Sequence, residues 1–335
     1  MKVDIHTHIL PSSLPDMRSY TGYGGWQRLE KKDSSSAEIW IDSVFFRKIS
    51  ENCWNPEVRL QECQQNGIGI QVLSTVPVMF NYWAKPEHTL YLCHYLNNHL
   101  ASVVSQYPEK FIGLGTLPMQ DPILAVKELE QCMKELKLSG VEIGTHVNGW
   151  NLDEEVFYSF YEKAEELQAV IFVHPWDMMG QKELPRYFLP WLVSMPAETS
   201  RAICSLIFGG IFERFPNLKI IFAHGGGAFP MSIGRIEQGF FARPDLCQIK
   251  IKSSPKTYLK KIYVDSLCHD PAVLTYLIQL LGEDRIALGS DYPFPLGEAN
   301  PGAMIENMGE TAAKVKEQIL SGTALELFGH KDSSR

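Results

Sequence analysis

Eight short apolar runs, rich in β-branched residues, recur along the chain and alternate with segments of helical period. They cover residues 3–9, 68–76, 111–117, 141–147, 170–173, 219–223, 262–267 and 286–289. Each has strand length, and several end in Pro, Gly or Asp. Between them, Leu96, Leu100, Val103, Val104 and Tyr107 share one helical face. So do Val126, Leu129, Met133 and Leu136, and likewise Val156, Phe160, Ala164 and Leu167. Leu274, Leu277, Ile278 and Leu281 form another face, with Asp270 as N-cap, Pro271 at the first helical position and Gly282 at the C-cap side. Strand–helix alternation calls for parallel strands joined by helical crossovers. Eight strands favour a closed (β/α)8 TIM barrel over an open doubly wound sheet, and the Gly-x-Gly-x-x-Gly turn that the open sheet would want after its first strand is absent. The 335 residues therefore read as one barrel with a long insertion, 10–56, after the first strand. That stretch carries Gly22, Gly24, Gly25, Trp26, a Ser run at 34–36 and then Phe45-Phe46-Arg47. It is too long for a βα loop, and loops of that length are commonly lids or substrate-binding insertions.

Composition removes several function classes. An apolar share of 45% excludes long disorder. A net charge of −8 without a basic stripe argues against nucleic acid. No apolar run approaches the ~18 residues of a membrane span. The start, Met1-Lys2-Val3-Asp4-Ile5-His6, is too polar for a secretory signal. Seven scattered cysteines without a Cys-x-x-Cys motif read as reduced thiols, which places the expected location in the cytosol.

The chemistry-bearing residues stand at strand ends. The first run contains His6-Thr7-His8, and residues two apart in a strand point the same way. The fifth ends in His174, which Pro175 holds extended. The sixth ends in His224 before three glycines, and the eighth leads into Asp291, where Pro293 and Pro295 argue against a helix N-cap. Singly these are weak signals: a coincidental polar pair, a surface histidine, a phosphate-cradling glycine loop. A barrel, however, brings these tips to one rim. Imidazoles and a carboxylate converging there suit Zn²⁺ with an open position for water.

This pattern resembles the amidohydrolase superfamily. Longer motifs resemble a group of O₂-independent decarboxylases within it: Asn52-Cys53-Trp54-Asn55-Pro56, His174-Pro175-Trp176-Asp177-Met178, Leu189-Pro190-Trp191-Leu192, His224-Gly225-Gly226-Gly227 and the segment Gly289-Ser290-Asp291-Tyr292-Pro293-Phe294-Pro295. The resemblance covers the whole chain. Two-metal members carry a bridging Lys at the end of strand four, where this chain has Glu142 and no Lys. The resemblance thus implies one zinc per chain, held by His6, His8, His174 and Asp291, with His224 free as acid/base. It implies a dicarboxylate semialdehyde of the kynurenine route of tryptophan breakdown as substrate, and decarboxylation through addition of water beside the carboxylate. His224 or Asp291 then assists protonation of the neighbouring carbon. Arg47 and Arg235 would grip substrate carboxylates, Arg235 from the partner of a homodimer, and Trp191 and Phe294 would line the pocket. Guanidinium forks match carboxylates bidentately. By residue type alone, Arg47 and Arg235 read equally as surface charges, and Trp191 and Phe294 as core. A γ-resorcylate-type decarboxylase or a lactonase could use the same metal site, and a metal-free binding barrel would show a lost ligand. Departures from the family pattern are Gly322-Thr323-Ala324, where an Asn is usual, and the insertion tip at 27–41. The remaining histidines, 88, 94, 99, 146, 269 and 330, read as surface residues or as supports of the site.

Overall fold

In the computed structural model, residues 1–309 and 311–329 are described; His330 lies outside them. All eight runs form strands of one parallel sheet: β1 (Lys2–His8), β2 (Ile68–Ser74), β3 (Phe111–Thr116), β4 (Gly140–Gly144), β5 (Val170–His174), β6 (Lys219–Phe222), β7 (Ile262–Asp265) and β8 (Ile286–Ala287). Spatial order follows chain order. The barrel closes where Ile5 donates its N–H to the Leu288 carbonyl and His8 to the Tyr292 carbonyl, each at 2.8 Å. Helices follow the strands: α1 (Pro56–Asn66), α2 (Pro86–Gln106), α3 (Pro122–Lys134), α4 (Tyr158–Glu166), α5 (Met195–Phe208), α6 (Phe229–Ala242), α7 (Pro271–Leu281) and α8 (Thr323–Phe328). No described helix is long and apolar enough to cross a membrane.

The two-residue period of the strands separates two cores. Val170 and Phe172 pack with Ile70, Val72, Ile112, Leu114 and Ile221. Their neighbours Ile171 and Val173 pack instead with helix residues such as Phe160, Ala164, Ile203 and Leu206. Asp270 caps α7 as its position foretells, accepting N–H bonds from Ala272 and Val273. Such a cap is worth about 1 kcal/mol.

Three local expectations change. Val156 is exposed, because residues 155–157 form a 3₁₀ turn ahead of α4; the tighter turn brings Phe157 to the core instead. The run 141–147 is not one strand. It stops at Gly144, and His146–Val147 pairs antiparallel with Trp150–Asn151. The third concerns the insertion, which contains a short helix (Met17–Thr21) and a three-stranded antiparallel sheet, Gln27–Lys31, Ser36–Ile41 and Val44–Ser50. Its Trp26, Ala37, Ile39 and Ile49 share a core with Val76, Val78, Met79, Leu92 and Leu96 of the barrel. Burial of those side chains fastens it over the rim and carries Phe46 and Arg47 to the mouth of the barrel.

Candidate active site

Strand register explains how the first pair of histidines comes together. His6 and His8 lie two apart on β1 and are fully buried, their rings 5.1 Å apart. His174, the last residue of β5, lies 5.1 Å from both rings. Asp291 follows β8 on a residue with φ of 56°, outside any helix. One ligand atom from each of His6, His8, His174 and Asp291 falls within 4.8 Å of the others.

The donor chemistry fits a cation. His8 Nδ1–H donates to the Thr75 carbonyl at 2.9 Å and His174 Nδ1–H to the Pro175 carbonyl at 3.0 Å. A carbonyl only accepts, so each ring carries its proton on Nδ1 and turns an Nε2 lone pair inward. His6 Nδ1 is bonded to the Asp265 carboxylate at 2.7 Å. All three Nε2 atoms are buried without a hydrogen-bond partner. Asp291 Oδ1 lies 3.1 Å from His8 Nε2 and 3.5 Å from His6 Nε2. Lone pairs facing a carboxylate at that spacing repel unless a cation lies between them. Two atoms about 2.1 Å from one tetrahedral ion are ~3.4 Å apart. Burial drives His8 and, more strongly, His174 down, toward the neutral form a metal requires. Burial opposes charge on His6 too, yet the Asp265 bond leads the effects that hold it above its ordinary value.

His224 stands just beyond β6, its ring 5.1 Å from His174 and 5.2 Å from His6, with Nδ1 lacking any protein partner. Burial, reinforced by His6, lowers it to about 4, so the ring is a neutral acceptor at pH 7.

A cavity of about 510 Å³ opens above these groups. Arg47, Trp191 and Phe294 line it. The Arg47 guanidinium stacks 4.5 Å from the Phe294 ring centre, and that ring lies 5.5 Å from His8. Trp191 stacks on Phe188 at 4.6 Å. Arg235 is elsewhere: it is exposed on α6 and does not line the cavity of its own chain. His269 lines the cavity, and buried His146 lies 3.2 Å from Glu198. His88 bonds the Tyr23 hydroxyl and His94 meets Glu128, both away from the cavity.

Three buried carboxylates around His6, His8 and the Asp291 loop escaped the sequence reading. Asp4 accepts from the Ser290 hydroxyl and N–H, tying β1 to the Asp291 loop. Glu142 lies 3.7 Å from His8 Nδ1, and burial pushes its carboxyl well up. Asp265 ends β7 and holds His6. A signal did exist, since each stands in a strand, and Asp4 lies two residues from the ligand His6.

Comparison with known proteins agrees with this geometry. The amidohydrolase family matches residues 3–330. The 2-amino-3-carboxymuconate-6-semialdehyde decarboxylase of Dictyostelium discoideum is 54% identical, over 98% of this chain and 92% of its own. That of Caenorhabditis elegans is 37% identical, over 98% and 94%. Among solved structures, a dihydroxybenzoic acid decarboxylase from a Polaromonas species, with bound manganese and the inhibitor 2-nitroresorcinol, superposes with a TM-score of 0.79. It is 22% identical and covers 98% of this chain and 96% of its own, a likeness of fold.

Proposed function

The chain belongs to the amidohydrolase family, and from that membership we propose that it decarboxylates 2-amino-3-carboxymuconate 6-semialdehyde to 2-aminomuconate 6-semialdehyde. In the kynurenine route of tryptophan breakdown this diverts a labile intermediate from quinolinate. The observation that carries the reading is the 54% identity to a decarboxylase of that name across nearly the whole chain. Supporting it, the cavity combines a cation-ready donor set with a guanidinium at its mouth.

His6, His8, His174 and Asp291 would hold the metal. Their nitrogen and carboxylate donors suit zinc, one ion per chain. Bound there, zinc would lower the pKa of a coordinated water towards ~7 and steady negative charge on the substrate. The remaining work falls to the chain. Neutral His224 takes a proton at its ring nitrogen and holds it for return to carbon. Arg47 binds a substrate carboxylate as a bidentate fork. Trp191 and Phe294 flank the conjugated chain and keep bulk water from it. Overall, a C–CO₂⁻ bond breaks, a C–H bond forms, one proton is consumed and CO₂ leaves. Neither O₂ nor an organic cofactor enters that balance. Incubation with freshly made semialdehyde should remove its absorbance faster than spontaneous cyclisation does. A rate equal to the protein-free control would refute the reading.

The second cationic grip comes from a homodimer in this reading. Arg235 lies on α6 near the exposed Met231 and Phe241, and exposed Leu246 and Ile249 follow shortly after. Apolar side chains left in water over such a stretch mark an interface, here with a second copy. Arg47→Ala and Arg235→Ala should each be nearly inactive alone. In a hybrid dimer one site then carries both defects and the other none. Random pairing of equal amounts makes about half the dimers hybrids, so about a quarter of all sites recover. A mixture no more active than the mean of its parents, with exchange verified, would sink the shared site. The expected compartment is the cytosol, resting on the seven unpaired cysteines.

A further inference from the structure

We propose that Asp265 is a positioning residue that sets a metal ligand and the catalytic base from one carboxylate. The proposal rests on the reading of His224 as base. Asp265 is fully buried at the tip of β7 and takes four N–H donors. Oδ2 accepts from His6 Nδ1 at 2.7 Å and from the backbone N–H of His224 at 2.8 Å. Oδ1 accepts from the N–H of Gly225 at 2.7 Å and of Leu267 at 3.1 Å. It thus spans β1, the loop after β6 and its own strand.

The loop explains why a carboxylate is needed there. Residues 224, 225, 226 and 227 all have positive φ, at 57°, 61°, 79° and 61°. His224 is the one member of that run with a Cβ, and left-handed backbone disfavours it. Consecutive N–H groups in such a turn converge into an anion-binding concavity. Here the anion is Asp265, which holds the backbone of His224 where its ring meets His6 and His174. The same carboxylate fixes the His6 proton on Nδ1, leaving Nε2 free for the metal. Close approach is built in: at Gly289, a Cβ would lie 2.6 Å from Asp265 Cβ and 2.9 Å from His6 Cβ.

Asn at 265 keeps the shape but cannot accept four donors. If its amide nitrogen faces His6, the ring accepts on Nδ1, carries its proton on Nε2 and cannot ligate. The His224 N–H on that side then loses its acceptor, whereas the opposite flip is worse, because it sets the nitrogen against two backbone donors, Gly225 and Leu267, that have no second tautomer. The test is Asp265→Asn in the full chain, loaded with Zn²⁺ and titrated against a chromophoric chelator. Zinc affinity should fall ~10–100-fold, and kcat at saturating zinc should fall ~10-fold or more with KM little changed. In a His224→Ala background the same change should still weaken zinc but lower kcat no further. Wild-type zinc affinity, or full recovery of kcat at saturating zinc, would overturn the shared anchor. Should Asp265→Asn fail to fold, Asp265→Glu carries the same two readouts. It keeps the charge, so zinc binding should stay nearer wild type while the displaced loop lowers kcat; wild-type values for both would overturn the proposal. Were the wild-type chain to release no CO₂, the functional reading would fail on its own. Zinc affinity, and hydrogen exchange at the His224 amide (slow in wild type, fast in Asp265→Asn), would still decide Asp265.

Discussion

His224→Ala is expected to keep its zinc and lose turnover by ~10²–10⁴-fold, the usual worth of a positioned acid/base. The separation follows from geometry. His224 is not among the four residues whose ligand atoms converge, yet its ring stands within 5.2 Å of two of them. Its backbone N–H, not its side chain, binds Asp265, so truncation leaves the His6 anchor intact. Parallel zinc analysis and steady-state kinetics on the purified variant make the measurement. Zinc loss as deep as in a His174→Ala control would make His224 a ligand and not a base.

The second large effect is the opposite coupling. His8→Ala should remove zinc and activity together, to the limit of detection. His8 is fully buried, and its Nε2 has no hydrogen-bond partner, so no protein group replaces the lost donor. The change would leave Asp291, 3.1 Å away in the wild type, facing the space that His8 filled. Asp291→Ala should behave alike. Metal content after dialysis and CO₂ release are the paired readouts. A His8→Ala protein with full zinc and undiminished turnover would move the site elsewhere.

Much of this site was legible because a barrel converts chain order into position. His6 and His8 share a face by the two-residue period of β1, and His174, His224 and Asp291 each stand at or just past a strand tip. Parity and the tip rule therefore suffice to gather them without knowing a single long-range contact. Asp265 obeys the same rule and was still missed. The apolar run 262–267 reads as one strand through Leu267, which hides a strand that ends at Asp265. Glu142 was seen as the absence of a Lys, so its own burial went unread.

The insertion shows the other limit. Ala37, Ile39 and Ile41 alternate with Glu38 and Trp40, a strand signal, but Asp33 and the serines before them read as loop. In the fold those residues are the turn. Ser35 N–H and hydroxyl donate to Asp33, and the Ser36 hydroxyl does so as well. What could not be read is the docking. Packing of Trp26 and Ile39 against Val76 and Val78 depends on surfaces far apart in sequence. That docking, more than any local preference, delivers Arg47 to the cavity. Arg235 illustrates the same point in reverse: on an exposed helix face, it would gain its proposed role only with a second chain.

The central claim is metal-dependent decarboxylation at this one site. Its most direct test is titration of the metal-free protein with Zn²⁺ while CO₂ release from carboxyl-labelled aminocarboxymuconate semialdehyde is followed. The account predicts no release without metal, a linear rise, and a break at about one zinc per chain, with one CO₂ for each substrate consumed. Release independent of zinc, a break at about two equivalents, or substrate loss without CO₂ would contradict it.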